Sequence, residues 1–288
     1  MSARGARSRA AGIARRHDEN FPVAFLLAPR DVRSDMRVLY AYCRTTDDIG
    51  DAGVATREER LAALDAWEQG LMRAMDHRED DPVLIAVADV IRRRRLPIAP
   101  FTRLIEANRM DQRTSRWESH EDLLAYCAHS ATPVGRMVLG VLGIHDARRV
   151  ALSDATCTGL QLVNFWQDVR RDLEERDRVY VPREDMAIFG VAVDDLTASL
   201  ARPATCELLR MEVGRARALL MEGAPLRGMV PRRVRLDIGM FTAGGLWVCD
   251  RIAGQGYDTI AARPAPGRRG RAAMAAGVAW RLLTGGGT

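Results

Sequence analysis

The sequence predicts an all-α protein, and three observations carry that expectation. Apolar residues recur at three- and four-residue steps over long stretches. No stretch sustains the two-residue alternation of a half-buried strand, and the turn-forming Gly and Pro residues leave intervals of helix length. With 288 residues, 47% of them hydrophobic and 28% charged, the chain has the makeup of one sizeable domain, and no Pro/Gly/Ser-rich linker divides its middle.

The elements follow in order. Residues 1–16 carry Arg4, Arg7, Arg9, Arg15 and Arg16 with no apolar run behind them, which reads as a flexible basic segment and not as a secretion signal. After the break at Ala28-Pro29, a helix is expected from about Asp31 to Asp48 or slightly beyond, with Asp31 as its N-cap. Past Gly50 to Gly53, Leu61, Leu64, Trp67, Leu71 and Met75 trace the stripe of a second helix. Asp81-Pro82 opens a third, whose Val83, Val87, Val90 and Ile91 lead into the run Arg92 to Arg95. Those cations read as a solvated helix end that offsets the dipole.

Further breaks fall at Leu96 to Pro100, Gly143 to Asp146, Val181-Pro182, Arg202-Pro203 and Gly223 to Pro231. Between them a long central helix is expected from about Ser153 to Leu173, capped by Ser153 and Asp154, and Leu208, Met211, Ala218, Leu219 and Met221 belong to another. The breaks leave about eight or nine helices. Residues 265–288 form a tail rich in Arg, Gly and Ala, with an apolar patch from Val278 to Leu283. It is expected to be a loosely held terminus, the alternative being a basic amphipathic segment resting on an anionic membrane surface.

Composition excludes several chemistries. All 43 residues counted as Lys+Arg are arginine, so there is neither a Schiff-base nor a P-loop lysine, and phosphate must be met by arginine, amides or metal. The net charge of +5 is spread along the chain, which argues against a nucleic-acid partner. The five cysteines, at 43, 127, 157, 206 and 249, contain no CxxC pair. They suggest neither a zinc site nor a disulfide framework, and each reads as a small buried hydrophobe in a reducing cytoplasm. No uninterrupted apolar stretch approaches the roughly 20 residues that span a bilayer. The expected location is cytoplasmic, with the tail's alternative placing the protein at the inner face of the membrane.

Two acidic stripes carry the chemistry. Tyr40, Arg44, Asp47 or Asp48, and Asp51 follow one another at helical steps, so a phenol, a guanidinium and carboxylates share one face. An Arg44–Asp48 surface ion pair is the bland alternative, but the preceding Val38 to Cys43 is too apolar for a solvated helix. The second stripe is Leu160, Gln161, Asn164, Asp168 and Asp172, on a helix that Leu162, Val163, Phe165 and Trp166 make apolar almost all round. Carboxylates stacked in such a setting repel one another and ask for a cation. Oxygen donors alone suit Mg²⁺, which keeps several waters and completes its shell with substrate phosphate oxygens. Pairing with arginine is the alternative, although Arg170 and Arg171 fall largely on other faces.

Tyr40 to Asp51 and Gly159 to Asp172, the latter followed by Arg178-Val179-Tyr180-Val181-Pro182, closely resemble the two signatures of the squalene/phytoene synthase family. The resemblance spans roughly residues 17 to 264 and takes in Tyr126-Cys127, Val134-Gly135, Gly256-Tyr257-Asp258 and Arg263-Pro264. It implies a catalytic domain over 17–264: a single isoprenoid-synthase-type bundle with the two aspartate helices facing a central cavity. Magnesium would be held by Asp47, Asp51, Asn164, Asp168 and Asp172, with Asp48 a weaker ligand. Tyr40, Arg44, Arg178 and Tyr180 would donate to the diphosphate, and Phe21, Tyr126, Phe165 and Trp166 would wall the cavity. Tyr126 and Gln161 count among the catalytic and substrate-binding positions, with Tyr126 near the departing diphosphate and His17 near the substrate entrance.

Within the family, His17 to Ala24 and Asn164 to Asp168 are most similar to the hydroxysqualene synthase branch of hopanoid biosynthesis. That branch is implied to convert presqualene diphosphate to hydroxysqualene without a reductant and to hand its product to other enzymes of that pathway. Gly244-Gly245 stand where the squalene and phytoene synthase pattern carries an aromatic lining residue, leaving room there for water. The nearest rival is a head-to-head prenyltransferase of the same fold acting on farnesyl or geranylgeranyl diphosphate. A non-catalytic helical relative would be marked by lost aspartates, and both clusters are complete. A helical membrane-surface protein whose stripes only pair with arginines would gain no thermal stability from diphosphate plus Mg²⁺.

Overall fold

Thr56, Asp81 and Ser119 cap helix starts with their side chains, as the computed structural model shows for residues 28–264, which it describes together with Gly5. His17, Phe21, the basic segment apart from Gly5, and the tail over 265–288 with its membrane alternative lie outside the described residues. Among the described residues there is no strand, and the helical expectation holds throughout. The helices are α1 (Arg30–Gly50), α2 (Arg57–Met75), α3 (Pro82–Arg94), α4 (Ala99–Arg113), α5 (His120–Ser130), α6 (Thr132–Val141), α7 (Ala147–Arg176), α8 (Arg183–Phe189), α9 (Pro203–Gly223), α10 (Leu226–Met229) and α11 (Arg235–Gly254). None is long and apolar enough to cross a membrane.

Contacts divide the chain into two units, one of residues up to 113 with 132–150, the other of 114–131 with residues from 151 on. In the first, a capping box opens α2, with the Glu59 amide donating to Thr56 Oγ1 (3.2 Å) and the Thr56 amide to Glu59 Oε2 (2.7 Å). Asp81 Oδ1 caps α3 by accepting from the Val83 and Leu84 amides, and Pro82 fills the first helical position. The core includes Tyr42, whose ring stacks on Trp67 (centroids 5.9 Å apart) and meets Phe101 edge-on, while its hydroxyl donates to the Phe101 carbonyl (3.1 Å). The Trp67 indole N–H donates to Thr46 Oγ1, so each polar tip buried with these rings has a partner.

Three sequence expectations need correction here. Asp31 is not the cap of α1: Pro29 occupies that position with no side-chain cap bond, and Asp31 sits in the first turn on Arg94. Nor is the arginine run only a solvated end, although Arg93 and Arg95 are exposed. Arg92 donates to the carbonyls of Ala74 and Met75 that end α2, and Arg93 and Arg94 both grip the fully buried carboxylate of Asp35 at 2.7 Å. A buried carboxylate demands such partners, and two guanidiniums supply them. Finally, α7 begins at Ala147, with Asp146 Oδ1 accepting from the Arg149 amide, so Ser153 and Asp154 lie inside the helix and Ser153 is buried.

In the second unit, α7 and α9 approach closely enough that only glycine fits at the crossing. A Cβ on Gly159 would lie 3.0 Å from the Ala216 carbonyl, and one on Gly223 would lie 2.7 Å from the Leu152 carbonyl. An isolated parallel bridge joins Arg116 to Val179, with the Val179 amide donating to the Ser115 carbonyl at 2.9 Å. The Arg116 guanidinium also holds the Asp177 carboxylate, which fixes the segment leaving α7. Of the five thiols, all free, Cys127 and Cys249 are buried as expected, whereas Cys43, Cys157 and Cys206 are only half-buried.

Candidate active site

In the first unit, the acidic face of α1 is anchored by amides from α4. Asn108, itself buried, donates to Asp47 Oδ1 (3.2 Å), and Gln112 donates to the Gly50 carbonyl (3.0 Å) while accepting from Arg60. Gly50 packs directly on the Asn108 amide, so no Cβ fits there. Asp51 caps the end of α1, its amide donating to the Asp47 carbonyl at 2.8 Å, and its side chain is exposed. The Arg44–Asp48 ion pair of the bland reading is present at 2.5 Å, with both partners substantially exposed. Such a pair contributes little stability and yields readily to a stronger anion or cation. Tyr40 is half-buried one turn earlier.

In the second unit, Gln161, Asn164 and Asp168 are half-buried on α7 and Asp172 is buried. Arg170 and Arg171 turn away as expected, onto Glu174 (2.6 Å) and Glu175 (3.0 Å). The arginine that meets the stripe is Arg263, whose guanidinium grips Asp168 with two hydrogen bonds, one of them Nη2 to Oδ2 at 3.0 Å. Arg176 reaches Asp172 only at 3.5 Å. Burial pushes the Asp172 carboxyl up to about 7, the Asp168 carboxylate adds to the rise, and Arg176, Arg178 and Arg171 pull it down. Its neighbouring arginines do not offset the desolvation that raises it. The donors are all oxygen, so this residue set fits a hard cation such as Mg²⁺.

Beside the stripe is a cluster of buried rings. Tyr180 stacks on Phe165 with centroids 3.7 Å apart and 9° between planes, Tyr126 lies 5.9 Å from Tyr180 and 6.2 Å from Phe165, and Trp117 closes on Tyr126 at 4.8 Å. Trp166 is fully buried edge-on to Phe165, with its indole N–H unpartnered. Tyr126, Phe165 and Trp166, expected in the cavity wall, pack into one ring cluster, and Tyr180, expected among the diphosphate donors, joins them. Arg178 keeps its place near Asp172, to whose carbonyl its amide donates at 3.0 Å.

Sequence reasoning missed Asn108, Gln112 and Trp117 as neighbours of these side chains. It also missed the return of residues 263–264 over α7, where Gln167 donates to the Pro264 carbonyl at 2.6 Å. The room for water expected at Gly244-Gly245 is not present at Gly245. A Cβ there would lie 2.9 Å from Leu160 and Leu220 side-chain atoms, which fill the space.

Comparison with known proteins gives concordant results. The family model for squalene/phytoene synthase matches residues 14–274. A hydroxysqualene synthase of Rhodopseudomonas palustris is 34% identical over 228 residues, covering 78% of this chain and 76% of that one. A 15-cis-phytoene synthase of Synechococcus elongatus is 32% identical, covering 71% and 70%. Among solved structures, squalene synthase HpnC from Alicyclobacillus acidocaldarius is similar at a TM-score of 0.82 with 43% identity, over 88% of this chain and 95% of that one. A dehydrosqualene synthase in complex with ligand shares the fold at a TM-score of 0.85 with 23% identity, over 98% of each.

Proposed function

The chain belongs to the squalene/phytoene synthase family, and from that premise we propose that it converts presqualene diphosphate and water to hydroxysqualene and diphosphate. The observation that carries this reading is the α7 helix. It bears a half-buried to buried oxygen-donor stripe, one carboxyl of which burial raises to about 7, next to the ring cluster of Phe165, Tyr180 and Tyr126. A polar end for a diphosphate and an aromatic end for a carbocation are the two things ionisation of an allylic or cyclopropylcarbinyl diphosphate requires. The hydroxysqualene synthases at 34% and 33% identity favour this reaction among those of the family.

In this reading Asp47, Asp51, Asn164, Asp168 and Asp172 would hold magnesium, with Asp48 in a lesser role. When bound, magnesium neutralises the charge that builds on the leaving diphosphate. Arg44 leaves its exposed pair with Asp48 to donate to phosphate oxygens alongside Tyr40, and Arg178 does the same from beyond α7. Arg263 grips Asp168 and would give way to a bound cation. The carbon–oxygen bond breaks with its electron pair going to diphosphate. The rings of Tyr126, Phe165, Trp166 and Tyr180 would stabilise the cation and exclude water until the skeleton has rearranged. Gln161 and His17 orient the substrate. Water then adds, and its surplus proton leaves with diphosphate or solvent; no hydride donor is needed.

A second reading is supported by the phytoene synthases at 32% identity: condensation of two prenyl diphosphates head to head. One assay separates the two. Presqualene diphosphate, Mg²⁺ and heavy-oxygen water are supplied with and without NADPH, and farnesyl diphosphate is offered separately. Hydroxysqualene carrying the heavy oxygen in both tubes supports the first reading. Squalene formed only with NADPH, or turnover of farnesyl diphosphate alone, moves the chain to the second.

A further inference from the structure

Three side chains from three helices of the second unit converge on one point that the aspartate stripes do not include. They are His120 at the start of α5, Asp185 in α8 and Glu212 in the middle of α9, and their ligand atoms all lie within 4.8 Å of one another. Among the described residues, no other set of three His, Cys, Asp or Glu side chains gathers so closely. Arg215 serves part of this cluster. Its Nη1 donates to Asp185 Oδ2 (2.6 Å) and Glu212 Oε1 (3.2 Å), and its Nη2 donates to Asp185 Oδ1 (3.2 Å).

The remainder is unsatisfied. Glu212 is fully buried, yet its Oε2 has no hydrogen-bond partner; it points at His120 Nδ1, 4.0 Å away, which has none either. Two buried carboxylates face one guanidinium, so the ionised cluster lacks one positive charge. A buried carboxylate oxygen left bare costs several times what a typical hydrogen bond contributes, which is why such groups are rare unless something is meant to fill the gap.

We propose that His120 Nδ1, one carboxylate oxygen of Asp185 and Glu212 Oε2 form a binding site for a single divalent transition-metal ion of the zinc class. Arg215 remains on the outer carboxylate lone pairs. One imidazole nitrogen with two carboxylate oxygens is a borderline donor set that suits zinc, cobalt or manganese better than magnesium, which takes oxygen. Metal–ligand bonds of about 2.0–2.2 Å put neighbouring ligand atoms roughly 3.3 Å apart, so the 4.0 Å gap between Glu212 and His120 closes with a shift of less than a bond length. Each carboxylate oxygen has a second lone pair, which lets Arg215 stay in place and orient the ligands from outside. The ion enters past His120, whose side chain is 21% exposed, while Asp185 and Glu212 lie within. Solvent at that rim supplies the fourth ligand. Occupied, the site ties together the first turn of α5, which carries Tyr126 further along, with α8 and α9.

Cobalt(II) is the probe, because its visible absorption reports nitrogen ligation and low coordination number. The full chain is stripped with EDTA and titrated with Co²⁺ in an Asp168→Asn background that silences the α7 stripe. One equivalent should bind with intense visible bands, displaced by Zn²⁺, and His120→Ala or Glu212→Gln should each weaken that binding at least about tenfold. Unchanged binding in His120→Ala, or no uptake by protein whose circular dichroism is native, overturns the proposal and leaves Arg215 with a proton on Glu212 as the whole account of the cluster. Should Glu212→Gln fail to fold, His120→Ala, at a partly exposed position, decides alone.

Discussion

Alanine in place of Gly223 should separate α7 from α9, and the structure sets the size of the effect. The new Cβ would lie 2.7 Å from the Leu152 carbonyl oxygen and 2.9 Å from the Thr156 amide, both backbone atoms of α7, and closer still to Thr156 Oγ1. Ordinary contact begins near 3.4 Å, so neither backbone atom can be accommodated by turning a side chain. Overpacking of this kind costs about 1–3 kcal/mol. Thr156 Oγ1 also donates to the Leu152 carbonyl at 3.1 Å, and rotating it away forfeits about 1 kcal/mol more. Against this, alanine gains less than about 1 kcal/mol of helix propensity at a terminal position. The net expectation is a loss of about 2–3 kcal/mol, read from urea unfolding followed by circular dichroism. Gly214, in the same helix with nothing within 4 Å of its Cβ position, is the control; the same substitution there should stabilise by about 0.5–1 kcal/mol. Adding Thr156→Ala to Gly223→Ala should recover part of the loss as a measurable coupling. Effects of the same sign at the two glycines, or a Gly223→Ala protein within 0.5 kcal/mol of the original (taking about 0.5 as the resolution of such comparisons), would refute the close-crossing argument.

Asp47→Ala and Asp168→Ala should each lower turnover at least about a hundredfold with the circular dichroism unchanged, and EDTA should abolish turnover reversibly; normal rates in either would remove the metal assignment. The Asp172 carboxyl, raised from 3.8 to about 7, binds a proton in the folded state that the unfolded chain releases earlier. Metal-free protein should therefore lose stability as pH rises from about 4 to about 7 and no further on this account, and Asp172→Asn should flatten that slope, as urea midpoints across pH would show. Asp35→Ala should cost about 1–3 kcal/mol, below the range for a fully buried pair because Arg93 and Arg94 are 40% and 23% exposed and regain water; an unchanged urea midpoint would show that the arginine run is a solvated end after all.

The acidic stripes were legible because their spacing is local: Asp47 with Asp51, and Asn164 with Asp168 and Asp172, need only the helical repeat to share a face. Breaks at Asp81-Pro82 and Arg202-Pro203 were legible for the same reason, proline and its neighbour acting on their own dihedrals. What the sequence hid was tertiary. Arg92 to Arg95 look like any cationic helix end until Asp35 and the carbonyls of Ala74 and Met75 arrive from elsewhere in the chain. Ser153 looked like a cap because its residue type caps well, yet Asp146 stood earlier at the Gly143 break and the helix starts there. The interval from Leu96 to Gly143 holds three helices, and the break between α5 and α6 at Ala131 was passed over although Pro133 stands in the first turn of α6. Cysteine spacing, which argued against zinc, is blind to a cluster drawn from His120, Asp185 and Glu212, each on a different helix. Arg263 was visible as part of a motif but not as the partner of Asp168, a residue it meets only through folding.

Residues 263 and 264 are strapped to consecutive positions of α7, the first at Asp168 and the second at Gln167. Whatever follows Pro264 is thereby attached at the point where a cation would be held. Pulling Arg263 away would bare the Asp168 carboxylate without any ligand having arrived.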